Sequence, residues 1–146
     1  MSIDTACISI ILDEDDDGHA TLIEKNLQRA GLGTPLIRFK EGAAALEHLR
    51  AAQKNSEKRS VILIADIKMP GMDGVELLRT IRDDAALAAT PIIMLTTTDD
   101  SREIARCYEL GCNIYITKPI KYDEFMEAVQ RLGKFLQVIE LPAQSV

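Results

Sequence analysis

A chain of 146 residues is about as long as one domain, and its 47% of apolar residues are enough for a hydrophobic core. A net charge of −6, without any run of Lys or Arg, argues against direct binding to nucleic acids or anionic membranes. Three cysteines without metal-ligand spacing, and an N-terminal apolar run too short for export, predict a cytoplasmic protein without a membrane segment.

Five short apolar segments alternate along the chain with segments of helical spacing. The apolar segments are typical of buried strands and cover residues 6–12, 35–39, 61–65, 91–95 and 113–117. Between them, apolar residues recur every three or four positions: Ala20, Ile23, Leu27, Ala30, Ala45, Leu46, Leu49, Val75, Leu78, Ile81, Ile104 and Tyr108. This alternation predicts an α/β fold, with a five-stranded parallel doubly wound (flavodoxin-like) sheet and five helices in three α/β/α layers. We expect a single domain over residues 1–146, with its core at about 6–138 and no effector domain.

Five consecutive acids, Asp13 to Asp17, follow the first predicted strand. One interpretation is a solvated turn that caps the next helix, where the helix dipole favours negative charge. A second is calcium binding, because residues 13–24 satisfy the pattern of a calcium-binding loop, although such a loop should follow a helix rather than a strand. The third is a Mg²⁺ site, because the first and third strands are neighbours in the common doubly wound order, which would place these acids beside Asp66.

Three further polar side chains stand where predicted strands end. Asp66 ends the third strand, Thr96 follows the fourth and Lys118 follows the fifth. Taken singly, they could be a loop cap, a hydroxyl that binds loop backbone and a solvated amine. Together they would meet at one edge of the sheet, because the carboxyl ends of parallel strands lie there. This arrangement predicts a phosphoryl-transfer site in which Asp66 is the nucleophile and Mg²⁺ offsets negative charge.

These motifs resemble, over essentially the whole chain, the receiver domains of two-component response regulators. The resemblance is carried by the acidic cluster, by ADIKMPGMDG at 65–74, by the threonine after PIIML and by TKP at 117–119. It implies a stand-alone response regulator that receives a phosphoryl group from a sensor histidine kinase on Asp66. The protein would then change conformation and address a downstream protein target or a phosphotransfer protein. Such a protein catalyses only its own phosphorylation and dephosphorylation.

The resemblance also implies a set of metal ligands. Mg²⁺ would be bound by Glu14, Asp15 and Asp66 and by the backbone carbonyl of Lys68, with Asp16 as an alternative acid. In this chain Glu14 replaces the aspartate that is commoner in the family, which adds a methylene of reach.

Further implied roles belong to the ends of the last two strands. Thr96 and Lys118 would contact phosphoryl oxygens, and the Lys118-Pro119 peptide bond would be cis. Tyr115 occupies the position of the family's aromatic switch, three residues before the lysine. Its ring would turn inward when the Thr96 hydroxyl is drawn to the phosphoryl group. The alternative interpretation of Tyr115 is a half-buried strand aromatic.

The chain after Lys118 continues an apolar stripe beyond what the sheet needs. A helix is predicted from Lys121 to about Val138, and a C-terminal extension at about 133–146 carries surplus apolar residues. They could finish the core or form a self-complementary dimer surface, and we expect a homodimer through this helix. The segment 130–142 also resembles the tails of small regulators associated with bacterial phytochrome kinases, which suggests such a kinase as partner.

Three other functions fit parts of this pattern. A Mg²⁺-dependent phosphatase of the haloacid-dehalogenase type would need an aspartate where Lys68 stands. A flavodoxin would need a first loop that donates to phosphate, which five acids would repel. A receiver-like module could bind partners without phosphorylation. The two histidines, His19 and His48, are interpreted as surface side chains.

Overall fold

Strands and helices alternate along the chain in the computed structural model, which describes residues 8–29, 36–54, 60–119, 121–128 and 131. The strands are β1 (Ile8–Asp13), β2 (Leu36–Phe39), β3 (Ser60–Asp66), β4 (Ile92–Thr96) and β5 (Ile114–Thr117). The helices are α1 (Asp17–Arg29), α2 (Gly42–Lys54), α3 (Gly74–Asp83), α4 (Ser101–Glu109) and α5, which includes residues 122–128. The predicted extension at about 133–146 lies outside the described residues. None of the helices in the described ranges combines the length and the hydropathy of a membrane-spanning segment.

All five strands form one parallel sheet in the order β2-β1-β3-β4-β5. The register pairs Asp13 with Ala65 and Asp66 with Leu95. Because β1 and β3 are neighbours, the acidic cluster and Asp66 leave the sheet at the same edge. The predicted five-stranded doubly wound sheet with five helices is confirmed.

A separate hydrophobic cluster covers each face of the sheet, because side chains alternate along a buried strand. On β3, Ile62 and Ile64 pack toward α1 and α5, whereas Leu63 and Ala65 pack toward α2, α3 and α4. Ala30 of the predicted apolar set lies outside the described residues. The described apolar residues predicted to line α1, α2 and α3 are all buried: Ala20, Ile23, Leu27, Ala45, Leu46, Leu49, Val75, Leu78 and Ile81. The period of the apolar residues therefore identified the buried faces of three helices correctly.

Helix α4 packs differently from its prediction. Ile104 and Tyr108 were expected on its buried face, but Tyr108 is 47% exposed and Cys107 is completely buried. The helix has only nine residues, and Cys107 is its one buried residue, so the contact with the core is a narrow stripe. The helix ends at Glu109, and Gly111 just beyond it has a positive φ of 103° that is easy only for glycine. Cys107 and Cys112 are free thiols, and burial raises their pKa values to about 11 and about 12.

Arg82 on α3 ties the amino ends of β4 and β5 together. Its guanidinium donates to the carbonyl oxygens of Gly111 at 2.9 Å, Ala88 at 3.0 Å and Thr90 at 2.6 Å, and to Asn113 Oδ1 at 3.0 Å. A planar guanidinium can satisfy several fixed acceptors at once. These contacts lie at the end of the strands opposite to Asp66.

Replacing Arg82 by methionine should lower the free energy of unfolding by about 2 to 4 kcal/mol, because several partly buried acceptors lose their donor. Urea denaturation would measure this loss. Arg79→Met, an exposed change on the same helix, serves as the control and should cost less than about 0.5 kcal/mol. Equal losses in the two variants would contradict this role of Arg82.

Candidate functional site

The residues predicted to follow strands meet at the carboxyl edge of the sheet. Asp66 ends β3, Thr96 ends β4 and Lys118 follows β5 directly, and all three residues are buried. Lys118 Nζ lies 3.0 Å from Asp66 Oδ2, and the backbone N–H of Lys118 donates to the carbonyl oxygen of Thr96 at 2.7 Å. The Lys118-Pro119 peptide bond is cis, as predicted. The structure therefore brings the strand-end residues into one site.

The ammonium group of Lys118 is the centre of this site. An ammonium has three hydrogens to donate and no acceptor. Three acceptors surround it: Asp66 Oδ2, Glu14 Oε1 and, at 2.9 Å, His19 Nδ1. The Lys118 side chain is only 4% exposed, so water cannot solvate its charge. These three acceptors compensate for the lost hydration. The contacts hold the amine in one place between the acidic cluster and Asp66.

The loop after β3 folds back tightly onto Asp66. The backbone N–H of Gly74 donates to the carbonyl oxygen of Ile67 at 2.9 Å, and a Cβ at Gly74 would overlap the carbonyl oxygen of Asp66. Only glycine permits this close approach. The backbone N–H of Lys68 donates to Asp66 Oδ1 at 3.2 Å. One Asp66 oxygen is thus held by loop backbone and the other by the amine of Lys118.

Glu14, Asp15 and Asp66 face a common space. Each contributes a carboxylate oxygen, and these atoms lie within 4.8 Å of one another. Asp15 is exposed, so the space is open to solvent on its side. Burial raises the pKa of Glu14, and the hydrogen bond from Lys118 opposes that shift. Clustered carboxylate oxygens are the ligands that a hard divalent cation prefers.

The last two acids of the cluster serve the start of α1 instead. Asp16 Oδ1 accepts a hydrogen bond from the backbone N–H of His19 at 2.8 Å, which caps the helix and lowers the pKa of Asp16. Asp17 Oδ1 accepts from Arg38 Nη1 at 2.7 Å, which lowers the pKa of Asp17. The helix-capping interpretation is therefore right for Asp16, whereas Asp17 begins the helix and pairs with Arg38. The calcium-loop interpretation is wrong, because a strand precedes the cluster and helix α1 begins within it.

Asp13 has a separate environment that sequence analysis missed. It is completely buried, and neither carboxylate oxygen has a hydrogen-bond partner among the described residues. Its Oδ2 lies 3.4 Å from where a Cβ on Gly42 would stand, so it faces the start of α2. Burial raises its pKa to about 7, and the charges of Asp66 and Glu14 add to the shift. The alternation of side chains along β1 could have indicated its direction, because Ile11, two residues earlier, packs on the same face of the sheet.

His19 was interpreted as a surface side chain, and the structure adds a contact that this interpretation did not include. Its side chain is 44% exposed, but its Nδ1 atom contacts Lys118 Nζ at 2.9 Å. The first turn of α1 begins at the edge of the site and directs His19 into it. His48 is half-buried, and its ring packs against Phe39 with the ring centroids 5.3 Å apart.

The predicted switch residue Tyr115 is linked to Thr96 through one residue. Its hydroxyl donates to the carbonyl oxygen of Thr98 at 2.7 Å, and the backbone N–H of Thr98 donates to Thr96 Oγ1 at 3.3 Å. The half-buried position of Tyr115 raises its pKa. The hydroxyl of exposed Tyr108 accepts from the backbone N–H of Tyr115 at 3.1 Å. These bonds connect the site to the loop before α4 and to the last turn of that helix.

The same family emerges from comparison with known proteins. Residues 10–130 match the model of the response regulator receiver domain, and the chain belongs to this family. Response regulator Rcp1 of Synechocystis is 31% identical over 137 residues, which cover 92% of each protein. A crystal structure of a receiver domain from Rhodospirillum rubrum is 42% identical and has a TM-score of 0.72, covering 89% of this chain and 94% of that one.

Two further solved structures are informative about the site. The phosphorylated cyanobacterial phytochrome response regulator RcpA is 26% identical with a TM-score of 0.71, covering 87% of this chain and 91% of that one. The Mn²⁺-bound form of response regulator Rcp1 is 28% identical with a TM-score of 0.70, covering 88% and 93%. The chain is therefore similar to stand-alone phytochrome-associated regulators as well as to its family at large.

The raised pKa of Asp13 predicts that this residue lowers the free energy of unfolding more and more as the pH rises. Its pKa of about 7 in the folded protein exceeds the ordinary value of 3.8. The stability that the bound proton contributes is present below the unfolded value and is lost as the pH rises through about 7. Asp13→Asn cannot ionise, so its stability relative to wild type should improve by about 1 to 3 kcal/mol between about pH 5 and about pH 8.

Urea denaturation with a chelator present would measure this difference. Any cost of the buried amide is independent of pH and cancels in the comparison. The exposed change Asp99→Asn is the control and should show no such trend. A stability difference between Asp13→Asn and wild type that stays constant with pH would contradict the raised pKa.

Proposed function

We propose that this protein is a phosphoacceptor response regulator that receives a phosphoryl group on Asp66 from a sensor histidine kinase. The observation that carries the proposal is the environment of the Asp66 carboxylate. It is buried at a strand end, with one oxygen held by the backbone N–H of Lys68 and the other by Lys118 Nζ. Membership of the receiver-domain family and the existence of phosphorylated RcpA support the proposal.

In the proposed transfer, an Asp66 oxygen attacks the phosphorus atom of the donor. The new oxygen–phosphorus bond makes a mixed anhydride, while the bond from phosphorus to the donor breaks and its electron pair stays with the leaving group. A proton from solvent neutralises the leaving group. Lys118 Nζ turns from the carboxylate to a phosphoryl oxygen, whose negative charge it offsets. The Thr96 hydroxyl donates to another phosphoryl oxygen.

We propose Mg²⁺ as the cofactor of this reaction. Glu14, Asp15 and Asp66 would hold it, together with the backbone carbonyl of Lys68. The fit rests on three carboxylate oxygens within 4.8 Å of one another, and the Mn²⁺-bound form of the relative Rcp1 supports it. When bound, a divalent ion offsets the charge of the phosphoryl oxygens.

The proposed output uses the bonds between Thr96 and Tyr115. If the Thr96 hydroxyl turns toward the phosphoryl group, Thr96 Oγ1 leaves the backbone N–H of Thr98. The Tyr115 hydroxyl, which now holds the carbonyl oxygen of Thr98, can then release it as the ring turns inward. A two-state change of this kind alters the surface at the start of α4, which a downstream target or phosphotransfer protein would recognise.

Similarity to RcpA, a phytochrome response regulator, supports a bacterial phytochrome as the class of kinase partner.

The predicted homodimer through the C-terminal helix stays a prediction, because residues 132–146 lie outside the described residues. The protein would catalyse only its own phosphorylation and dephosphorylation. The phosphatase alternative is weaker, because phosphatases of the haloacid-dehalogenase type share a second aspartate two residues after the nucleophile. In this chain that position is Lys68.

Incubation with acetyl phosphate and Mg²⁺ should add one phosphoryl group to the wild type and none to Asp66→Asn. Intact-mass analysis would detect the adduct, and hydroxylamine should remove it, because hydroxylamine cleaves acyl phosphates. Asp83→Asn, an exposed change on α3, is the matched control and should be phosphorylated like the wild type. An undiminished adduct in Asp66→Asn would place the phosphoacceptor elsewhere and refute the proposal.

Asp15→Asn should weaken Mg²⁺ binding by roughly 10- to 100-fold and slow phosphorylation, because the site loses an ionised ligand. Calorimetric titration would measure the affinity. Asp15 is exposed and suits this test better than Glu14, whose loss would also remove a partner of Lys118. Asp17→Asn is the control, since Asp17 pairs with Arg38 instead. If both variants lost affinity equally, the assignment of ligands within the cluster would be wrong.

A further inference from the structure

One contact of the Lys118 amine, that with His19, is not used by the proposed reaction. Two of the acceptors of this amine are the carboxylates of Asp66 and Glu14, and the third is the imidazole Nδ1 of His19 at 2.9 Å. Since lysine can only donate, Nδ1 accepts this hydrogen bond. The three acceptors match the three hydrogens of the ammonium group.

We infer that His19 is a positioning residue for phosphoryl transfer: its Nδ1 accepts a hydrogen bond from Lys118 and keeps the ammonium group directed at Asp66. The inference rests on the proposed function of Asp66 as phosphoacceptor. His19 itself touches neither the reacting carboxylate nor, in the proposed reaction, the phosphoryl group. It acts through the amine that does.

The position of His19 is fixed by the first turn of α1. Its backbone N–H is bound by Asp16 Oδ1 at 2.8 Å, which holds the start of the helix at the edge of the site. Its Nδ1 lies 3.8 Å from Glu14 Oε1 and 3.9 Å from Asp16 Oδ1, too far for hydrogen bonds. Among the described residues, Lys118 is therefore the side-chain hydrogen-bond partner of Nδ1. The outer part of the ring reaches solvent, because the side chain is 44% exposed.

The contact matters because the other two acceptors change during the reaction. In the proposed reaction Asp66 forms a mixed anhydride with the phosphoryl group, and Glu14 is a proposed ligand of the metal. The imidazole of His19 takes part in neither change and stays anchored to α1. It therefore provides the fixed contact about which the ammonium group can turn toward a phosphoryl oxygen. Without this contact, one N–H of the Lys118 ammonium group has no acceptor, although the side chain is only 4% exposed. The amine can then move away from Asp66.

The test compares three variants by their rates of phosphorylation with acetyl phosphate and Mg²⁺. His19→Leu removes the acceptor but keeps a side chain of similar size. It should lower the maximal rate about tenfold, with little change in the half-saturating concentrations of donor and Mg²⁺. His19→Asn should recover most of the rate, because its Oδ1 occupies the same place along the side chain as Nδ1. His48→Leu changes the other histidine, which packs against Phe39, and should leave the rate unchanged.

A double-mutant cycle shows whether His19 acts through the amine. In a Lys118→Met background, His19→Leu should have no further effect on the slow residual rate, because the group that it positions is gone. NMR of the unphosphorylated protein gives a second measurement. The ammonium protons of Lys118 should exchange slowly in the wild type and in His19→Asn, and faster in His19→Leu.

The outcomes separate this inference from the proposed function. If the wild type is phosphorylated on Asp66 but His19→Leu reacts at the same rate, the positioning role is refuted and the phosphoacceptor stands. If His19→Asn is as slow as His19→Leu, the imidazole acts by its shape and the inference fails. If the wild type takes no phosphoryl group on Asp66, both are refuted. Equal melting temperatures among the variants ensure that the rates report on the folded protein.

Discussion

One buried ammonium group, that of Lys118, balances the negative charge at the carboxyl edge of the sheet. Among the buried residues that the structure describes, it is the only cation, whereas Asp13, Glu14 and Asp66 are all buried acids. Lys118 reaches two of these carboxylates and leaves the third without a partner. The raised pKa of Asp13 follows from this imbalance, because burial and two nearby charges both oppose its ionisation. The position of the amine thus determines which two of the three buried acids have a cationic partner.

The acidic cluster is tolerated because its five carboxylates point in different directions. In chain order they face the start of α2, the amine of Lys118, solvent beside Asp66, the first turn of α1, and Arg38 on β2. Arg38 also donates through Nε to the carbonyl oxygen of Glu14 at 2.9 Å, which fixes the backbone in the middle of the cluster. Only two of the five acids remain to face Asp66, and they are the two that the family resemblance selected.

The sequence was sufficient for features that depend on local pattern and insufficient for those that depend on packing between distant elements. Strand ends follow from apolar runs and turn residues, so the meeting of Asp66, Thr96 and Lys118 was predictable. The contact of His19 with Lys118 joins residues 99 positions apart, and it depends on where the first turn of α1 points. No local pattern contains that information. The buried side chain of Asp13 lies between these cases, because strand alternation predicts its direction but not its lack of a partner.

The charge balance also explains why the proposed reaction needs a divalent cation. A phosphoryl group on Asp66 would bring about −1.5 to −2 charges into a site that already holds Glu14 and Asp15. One ammonium cannot offset that total, and like charges a few ångströms apart in a partly buried site repel strongly. If Glu14 and Asp15 share a cation of charge +2, the amine of Lys118 is released from Glu14 and can follow the phosphoryl oxygens. Of the three contacts of that amine, the one to His19 is then the contact that neither the metal nor the phosphoryl group displaces.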